Sequence, residues 1–417
     1  MRILKYELIK IFRKKFIIIA LIIFSLVNIY KINFYFKNDH IVNNEYKTDI
    51  EYNAGYWAAH NKISGTITND KINFIKDRYK HAKSVVDSGN YDTETIQPDT
   101  YTGYIFGDMN MFKELYDGLD YCYNYGNRLK NVILKAQKNI EFYREHNNLF
   151  QVKNNEKIIN VYGERGISEF YDTKAFEEFF RYDFSSLLII LLLILGLTSV
   201  FSGEKESSMN VMLLTSKYGR NTTIYAKIIA SMIYVITISI YFFILDFICF
   251  SNIFKLIGHN LPIYAMVNFE RTPLNMKIWH FVIYSGAIKL LGFMVIGVVV
   301  LLFSSIFSES ILAFILSGGM ISAYLGSNDF LSHKAREVVD FINPISLLTN
   351  REFFKKYNVI DIFGEPFFQS TVTLIFMLIF LLLIIFIIVI INRKNISISK
   401  MRLFSYLNNL RKEQLNI

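Results

Sequence analysis

The sequence predicts an all-α polytopic membrane protein, with six transmembrane helices and a mainly helical extracellular domain between the first and second. Three observations carry this. The chain of 417 residues is 52% hydrophobic, with a mean hydropathy of +0.28, more apolar than an average soluble domain. The apolar residues gather in blocks approaching the roughly 20 residues that a helix needs to cross a hydrocarbon core of about 30 Å. Lys and Arg gather beside those blocks, which is how membrane orientation is encoded.

Residues 1–15 read as an interfacial helix on the cytoplasmic side, because Leu4, Leu8, Ile11 and Phe12 share one face while Lys5, Lys10 and Arg13 point elsewhere. Residues 16–36 form the first span. Arg13, Lys14 and Lys15 before it resemble a signal-peptide start, but no small-x-small cleavage site follows, so the span is expected to stay. Residues 37–183 are long enough for a domain. Ile72, Ile75, Tyr79, Ala82 and Val86 make one helical stripe, which Gly89 can stop; Phe112, Leu115, Leu119 and Cys122 make a second; Leu129, Val132, Ala136, Ile140 and Tyr143 make a third. Residues 90–107 read as a loop or short strand pair, and Asp172 as the cap of a last helix, TKAFEEFF. The other spans are 184–201, 228–250, 279–303, 311–325 and 372–391. Between them lie a 202–227 loop, an outer loop over 251–278, a short turn over 304–310 and an outer segment over 326–371. The 392–417 tail is basic: Leu403, Leu407 and Leu410 against Arg402, Arg411 and Lys412 suit either an interfacial helix or a solvated tail drawn to anionic lipid.

An even number of spans puts both termini on one side with the 202–227 loop, and all three regions are rich in Lys and Arg. The positive-inside pattern makes that side cytoplasmic. The net charge of +9 therefore reflects orientation, and no nucleic-acid partner is expected. Two cysteines, Cys122 and Cys249, exclude a disulfide framework, and no CxxC or His-rich metal spacing exists. No P-loop, HExxH or GxSxG sequence occurs. The chain is thus expected not to be an enzyme, and energy for work against a gradient would come from a partner or an ion. Abundant Ile, Asn, Lys, Phe and Tyr with only five prolines suggest an AT-rich bacterial gene, and hence a bacterial plasma membrane.

The loop GEKESSMNVMLLTSKYGR, residues 203–220, is charged and yet carries an apolar face of Met209, Met212 and Leu213. Glu204 and Glu206 suit the N-terminus of a short helix, and Gly219 permits a turn. By spacing alone it fits a groove on a soluble partner or a lipid surface equally well. Glu204, Glu206, Leu213, Leu214, Thr215, Gly219, Arg220 and Lys227 together resemble the ABC-2 type transporter permeases, with one departure: Ser207-Ser208 stand where the family commonly has Gly-Thr.

The resemblance implies that this loop is a coupling helix docking on a separate ABC ATPase through Glu204, Glu206, Met209, Met212, Leu213, Gly219 and Arg220. ATP and Mg would then sit in that partner, with no cofactor in this chain. It also implies a second permease, a copy or a paralogue, with spans one and five at the seam. There Gly318, Gly319, Ser322 and Ala323 form a small-residue surface. The segment over 326–371, with Asn343-Pro344 and apolar Ile345, Leu347 and Leu348, would be re-entrant; an ordinary surface helix competes. Two ionisable residues lie within spans, Asp246 and Lys289. They would form an intramembrane pair, or else Asp246 reaches the outer interface and Lys289 snorkels.

The function expected is the membrane subunit of an ATP-driven exporter of a hydrophobic or amphipathic substrate: peptide, antibiotic or lipid. The competing expectation is a sensor whose outer domain binds a ligand and signals without transport. An ion-driven carrier would need more intramembrane carboxylates than Asp246. A membrane enzyme would need a clustered catalytic set.

Overall fold

The computed structural model describes residues 2–39, 49–89, 100–210, 212, 221–330 and 343–394. The chain is almost wholly helical there. Helix α1 (Arg2–Phe12) is amphipathic and buries Glu7 and Ile11. After a break at Arg13-Lys14, α2 (Lys15–Asp39) runs the length of the bundle. α8 (Phe184–Leu197) returns, ending in the short α9 (Ser202–Glu206). α10 (Thr222–Ile253), α11 (Ile278–Ile306), α12 (Ser310–Phe330) and α15 (Gln369–Arg393) complete the bundle. Helix α11 is its hub, packing on α8, α10, α12 and α15.

Among the described residues, five helical stretches are long and apolar enough to cross a membrane: Lys15–Phe34, Lys174–Glu206, Thr222–Ile253, Ile278–Ile306 and Gln369–Arg393. The expected fifth span, 311–325, is shorter. It lies in helix α12, of 21 residues, whose stretch Ser310–Gly326 counts as a shorter apolar helix among the described residues. α2 and α15 turn broad apolar faces outward, with Ile19, Ile22 and Leu26 on one and Ile379, Leu382 and Phe386 on the other all exposed. Faces this large are stable only against lipid or another chain.

At the end of the bundle opposite α1 lies a helical domain of α3 (Asp49–Ile63), α4 (Asn69–Asp87), α5 (Ile105–Glu145), α6 (Leu149–Tyr162) and α7 (Lys174–Arg181). α4 buries Ile72, Ile75 and Ala82 as its stripe predicts, and Gly89 follows it at φ 71°. The second and third stripes belong to a single helix, α5, of 41 residues and roughly 60 Å. Its C-terminal half is packed on fewer sides, so Val132 is exposed. The expected cap of α7 shifts by one residue: Thr173 is the N-cap, while the Asp172 carboxylate accepts from Lys174 N at 2.9 Å. Residues 90–99 lie outside the described residues.

Strands β1 (Gly65–Thr66) and β2 (Glu169–Phe170) pair briefly, tying the ends of the domain together. A hairpin, β3 (Val359–Ile362) and β4 (Glu365–Phe368), was not expected from the sequence. Its two-residue turn, Phe363-Gly364, has positive φ at both positions, the pattern that matches the twist of the strands. The connection between α10 and α11 fastens the domain to the bundle. Arg165 donates to the carbonyls of Thr272 and Leu274, sandwiched by the rings of Tyr162 and Tyr264, and Tyr121 Oη donates to Tyr264 O.

Candidate functional site

The 202–212 region is built from its base upward. α9 has only five residues, too few to satisfy its own amides. Neighbouring helices do so. Ser304 Oγ of α11 accepts from Phe201 N at 2.9 Å and Ser202 N at 3.2 Å. Ser202 Oγ is within 3.1 Å of Ser310 Oγ, and Glu206 Oε2 accepts from Ser310 N and Oγ at the start of α12. Lys205 Nζ donates to Ser305 O. The loop base is therefore stapled to two helices over 100 residues further on.

Glu204 sits at the centre of a buried charge cluster. Its Oε1 accepts from Lys10 Nζ at 2.5 Å, and its Oε2 is ion-paired with Lys227 Nζ, which also donates to Val200 O. This corrects one expectation. Glu204 does not face a partner; it is buried and joins α1, α9 and α10. A buried carboxylate needs cations, and the first turn of α10 and the last turn of α1 supply them. Glu7 lies in the same cluster, and burial raises its carboxyl above the usual range despite Lys227 and Lys10 nearby. Lys14 Nζ donates to Gly196 O and Ser199 Oγ, and burial pushes it down to about 8. The close approach of α8 to α10 depends on Gly196, where a Cβ would lie 2.6 Å from the Tyr234 ring.

Beyond this base the chain turns at Ser208, whose φ is 56°. Met209 and Met212 follow in helical conformation, 53% and 77% exposed. Leu213, Gly219 and Arg220, also expected in the docking helix, lie outside the described residues. The Ser208 geometry is the left-handed region that glycine occupies at least cost.

The two intramembrane charges do not contact each other. Asp246 Oδ1 accepts from Asn28 Nδ2 at 2.6 Å, and Asn28 Oδ1 in turn accepts from Tyr182 Oη at 2.7 Å. Lys289 Nζ is 3.7 Å from Asp183 Oδ1, and Asp183 Oδ2 accepts from Arg351 Nη1 at 2.6 Å. Of the two readings, the direct salt bridge between Asp246 and Lys289 is thus replaced by two separate arrangements. Asn28, fully buried in α2, and Arg351 were missed. A lone Asn within LVNIYK was the available signal for the first.

The segment after residue 342 enters the bundle. Helices α13 (Ile345–Leu348) and α14 (Arg351–Lys355) follow Pro344. Asn350 exchanges two hydrogen bonds with Ser285, and a Cβ at Gly292 would lie 2.9 Å from Leu348 and 3.0 Å from Leu347. Gly292 is about 20 Å along α11 from its start, so this segment dips well into the bundle. Gly318, Gly319, Ser322 and Ala323 lie on the open side of α12; a Cβ on either glycine would meet no atom within 4 Å. Tyr121 and Tyr125 are buried, and serve as core and as the contact with Tyr264.

No protein-family model matches this sequence, and no curated protein matches it.

Proposed function

We propose that this chain is the membrane subunit of an ATP-driven exporter of the ABC-2 permease type, in a bacterial plasma membrane with both termini cytoplasmic. Two such subunits, identical or paralogous, would work with two ATPase subunits carrying ATP and Mg. The substrate would be hydrophobic or amphipathic. One observation carries this reading. A loop with an apolar tip, Met209 and Met212, projects from a base locked to α1, α10, α11 and α12 by Glu204, Ser304 and Glu206. Exposed methionines suit an adaptable protein groove. A rigid base lets a push on the tip move four helices together, and a substrate gains direction when its affinity differs between the two resulting states. The segment from Asn343 to Lys355, inserted beside Gly292, fits the re-entrant element of that family.

The test is a pull-down of the tagged full chain from native membranes, beside a variant with Met209→Ser and Met212→Ser. These changes leave the Glu204 cluster intact. A Walker-motif ATPase should come down with the parent and not with the variant. Absence of any such ATPase with a well-folded parent would overturn the transporter reading. The sensor reading then gains, favoured by one observation: Arg165 and Tyr121 couple the helical domain directly to the loop entering α11. A sensor need show no ligand-stimulated ATP hydrolysis.

A further inference from the structure

Between α8, α10 and α11, at the end of the bundle nearest the helical domain, lies a cavity of about 260 Å³. Its walls are aromatic, with Phe179, Phe180, Phe243 and Phe293, while Asp246, Lys289 and Ser239 are among its polar groups, beside Tyr182, Ser185, Ser186 and Ser285. Ile240 and Ile283, exposed on the outer faces of α10 and α11, form part of its lining. The cavity therefore approaches the surface between two spanning helices, on the side that lipid would cover.

Three features distinguish it from a packing gap. Ser239 is only 5% exposed, yet its Oγ has no hydrogen-bond partner. Ser25, Ser317 and Thr237, in comparable helical positions, each donate to the carbonyl four residues back. A buried hydroxyl left without a partner is costly, and Ser239, unlike the similarly unpartnered Ser231 and Thr373, lines this cavity, where a ligand could supply one. Next, Asp246 and Lys289 both reach the cavity and carry opposite charges, but no ion pair joins them among the described residues. Asp246 is hydrogen-bonded by Asn28 and Ser185, and the nearest carboxylate to Lys289 is already engaged by Arg351. Each retains capacity, since a carboxylate accepts about four hydrogen bonds and an ammonium donates three. Finally, the charges at and beside the cavity, Asp183, Asp246 and Glu352 against Lys289, Arg351 and Lys355, sum to zero. A singly charged ligand would leave one charge uncompensated in a buried site, whereas a zwitterion would not.

We propose that this cavity binds the head group of a zwitterionic membrane amphiphile, with an oxyanion on Lys289, an ammonium or amide N–H on Asp246 and a hydrogen bond at Ser239. The volume lies below the roughly 300–1,000 Å³ of pockets that enclose whole drug-sized molecules. It takes a head group, and the tails stay in the bilayer beside Ile240 and Ile283. The inference requires only that the chain spans a membrane. It stands or falls independently of any ATPase partner.

The test uses the purified full chain in an uncharged maltoside detergent. The probes are short-chain phosphatidylethanolamine, short-chain phosphatidylglycerol and tailless glycerophosphoethanolamine, followed by calorimetric titration. The parent should bind the phosphatidylethanolamine saturably, at least tenfold more tightly than either other probe. Ser239→Leu fills the cavity with apolar volume and keeps the charges, so it should fold normally and lose binding at least tenfold. Asp246→Asn keeps the acceptor for Asn28 but removes the charge that holds the ammonium, so it should bring the affinities for the two lipids within a factor of three. Unchanged binding in Ser239→Leu, or equal binding of the anionic lipid by the parent, would overturn the proposal. Equal affinity for the tailless head group would overturn the membrane source, and point to a zwitterion arriving from water.

Discussion

Removing the carboxylate of Glu204 should do more damage than removing either of its cations. The Glu204 side chain is 8% exposed, Lys227 3% and Lys10 45%. Glu204→Gln leaves Lys227 as a buried cation without its counter-charge, at a cost of about 3–5 kcal/mol. Lys227→Met leaves Glu204 still held by Lys10, so its cost should be about 1–3 kcal/mol. Lys10→Met removes a half-exposed partner and should cost less than about 1 kcal/mol. The double change Glu204→Leu with Lys227→Met removes both buried charges, and should cost less than Glu204→Gln alone. The assay is reversible unfolding by SDS titration in mixed micelles, arranged as a double-mutant cycle. The reasoning is refuted if Lys10→Met costs as much as Glu204→Gln, or if the double change costs the sum of the two single ones.

Gly196→Ala should cost about 1–3 kcal/mol, because its Cβ meets the fully buried Tyr234 ring. Gly318→Ala and Gly319→Ala enter open space and should gain up to about 1 kcal/mol each; a loss in the same titration would mean that α12 packs on a second chain. Exchanging Asp246 and Lys289 should rescue neither single alanine variant, since it places an acid beside Asp183 and a cation beside Asn28; recovered stability in the exchange would restore the direct pair. Ser208→Gly should raise stability by about 0.5–1 kcal/mol by relieving a left-handed backbone, and an unchanged unfolding midpoint would contradict that geometry. Burial holds the His60 imidazole below its usual range. The unfolded chain therefore takes up a proton near pH 6.5 before the folded one does. Stability due to His60 is present above that pH and lost as pH falls through the lower folded value. The difference in unfolding midpoint between parent and His60→Gln should be flat above pH 6.5 and shrink below it.

Five of the expected spans, the α4 stripe and the amphipathic α1 were legible because each depends on local composition or periodicity, which a single segment carries in full. Continuity was not. The gap between the stripes at Cys122 and Leu129 contains Asn124, Gly126 and Asn127, weak helix formers that read as a break. Packing of α4 on the N-terminal half of α5 and of α6 on its C-terminal half holds one continuous helix through them. The β3–β4 hairpin was obscured for a similar reason. Its eight paired residues lie inside a segment whose apolar content also suits a membrane surface, and only the turn geometry at Phe363-Gly364 reveals the pairing. At the loop base, the charge of Glu204 was legible and its role was not.

Composition and periodicity by themselves determined that this is a chain of long apolar helices with a helical domain inserted after the first. They also determined which residues carry unusual charge: Glu204, Asp246 and Lys289. Only the tertiary structure decided whom those charges meet. Glu204 is joined to Lys10, 194 residues away, Asp246 to Asn28, 218 residues away, and Lys289 leans towards Asp183. The physical reason is that a charge in an apolar surrounding must take whichever counter-group lies within a few ångströms. Which group that is depends on the order in which helices pack, and helix packing is set by the shapes of many side chains at once, with no signature in any one segment.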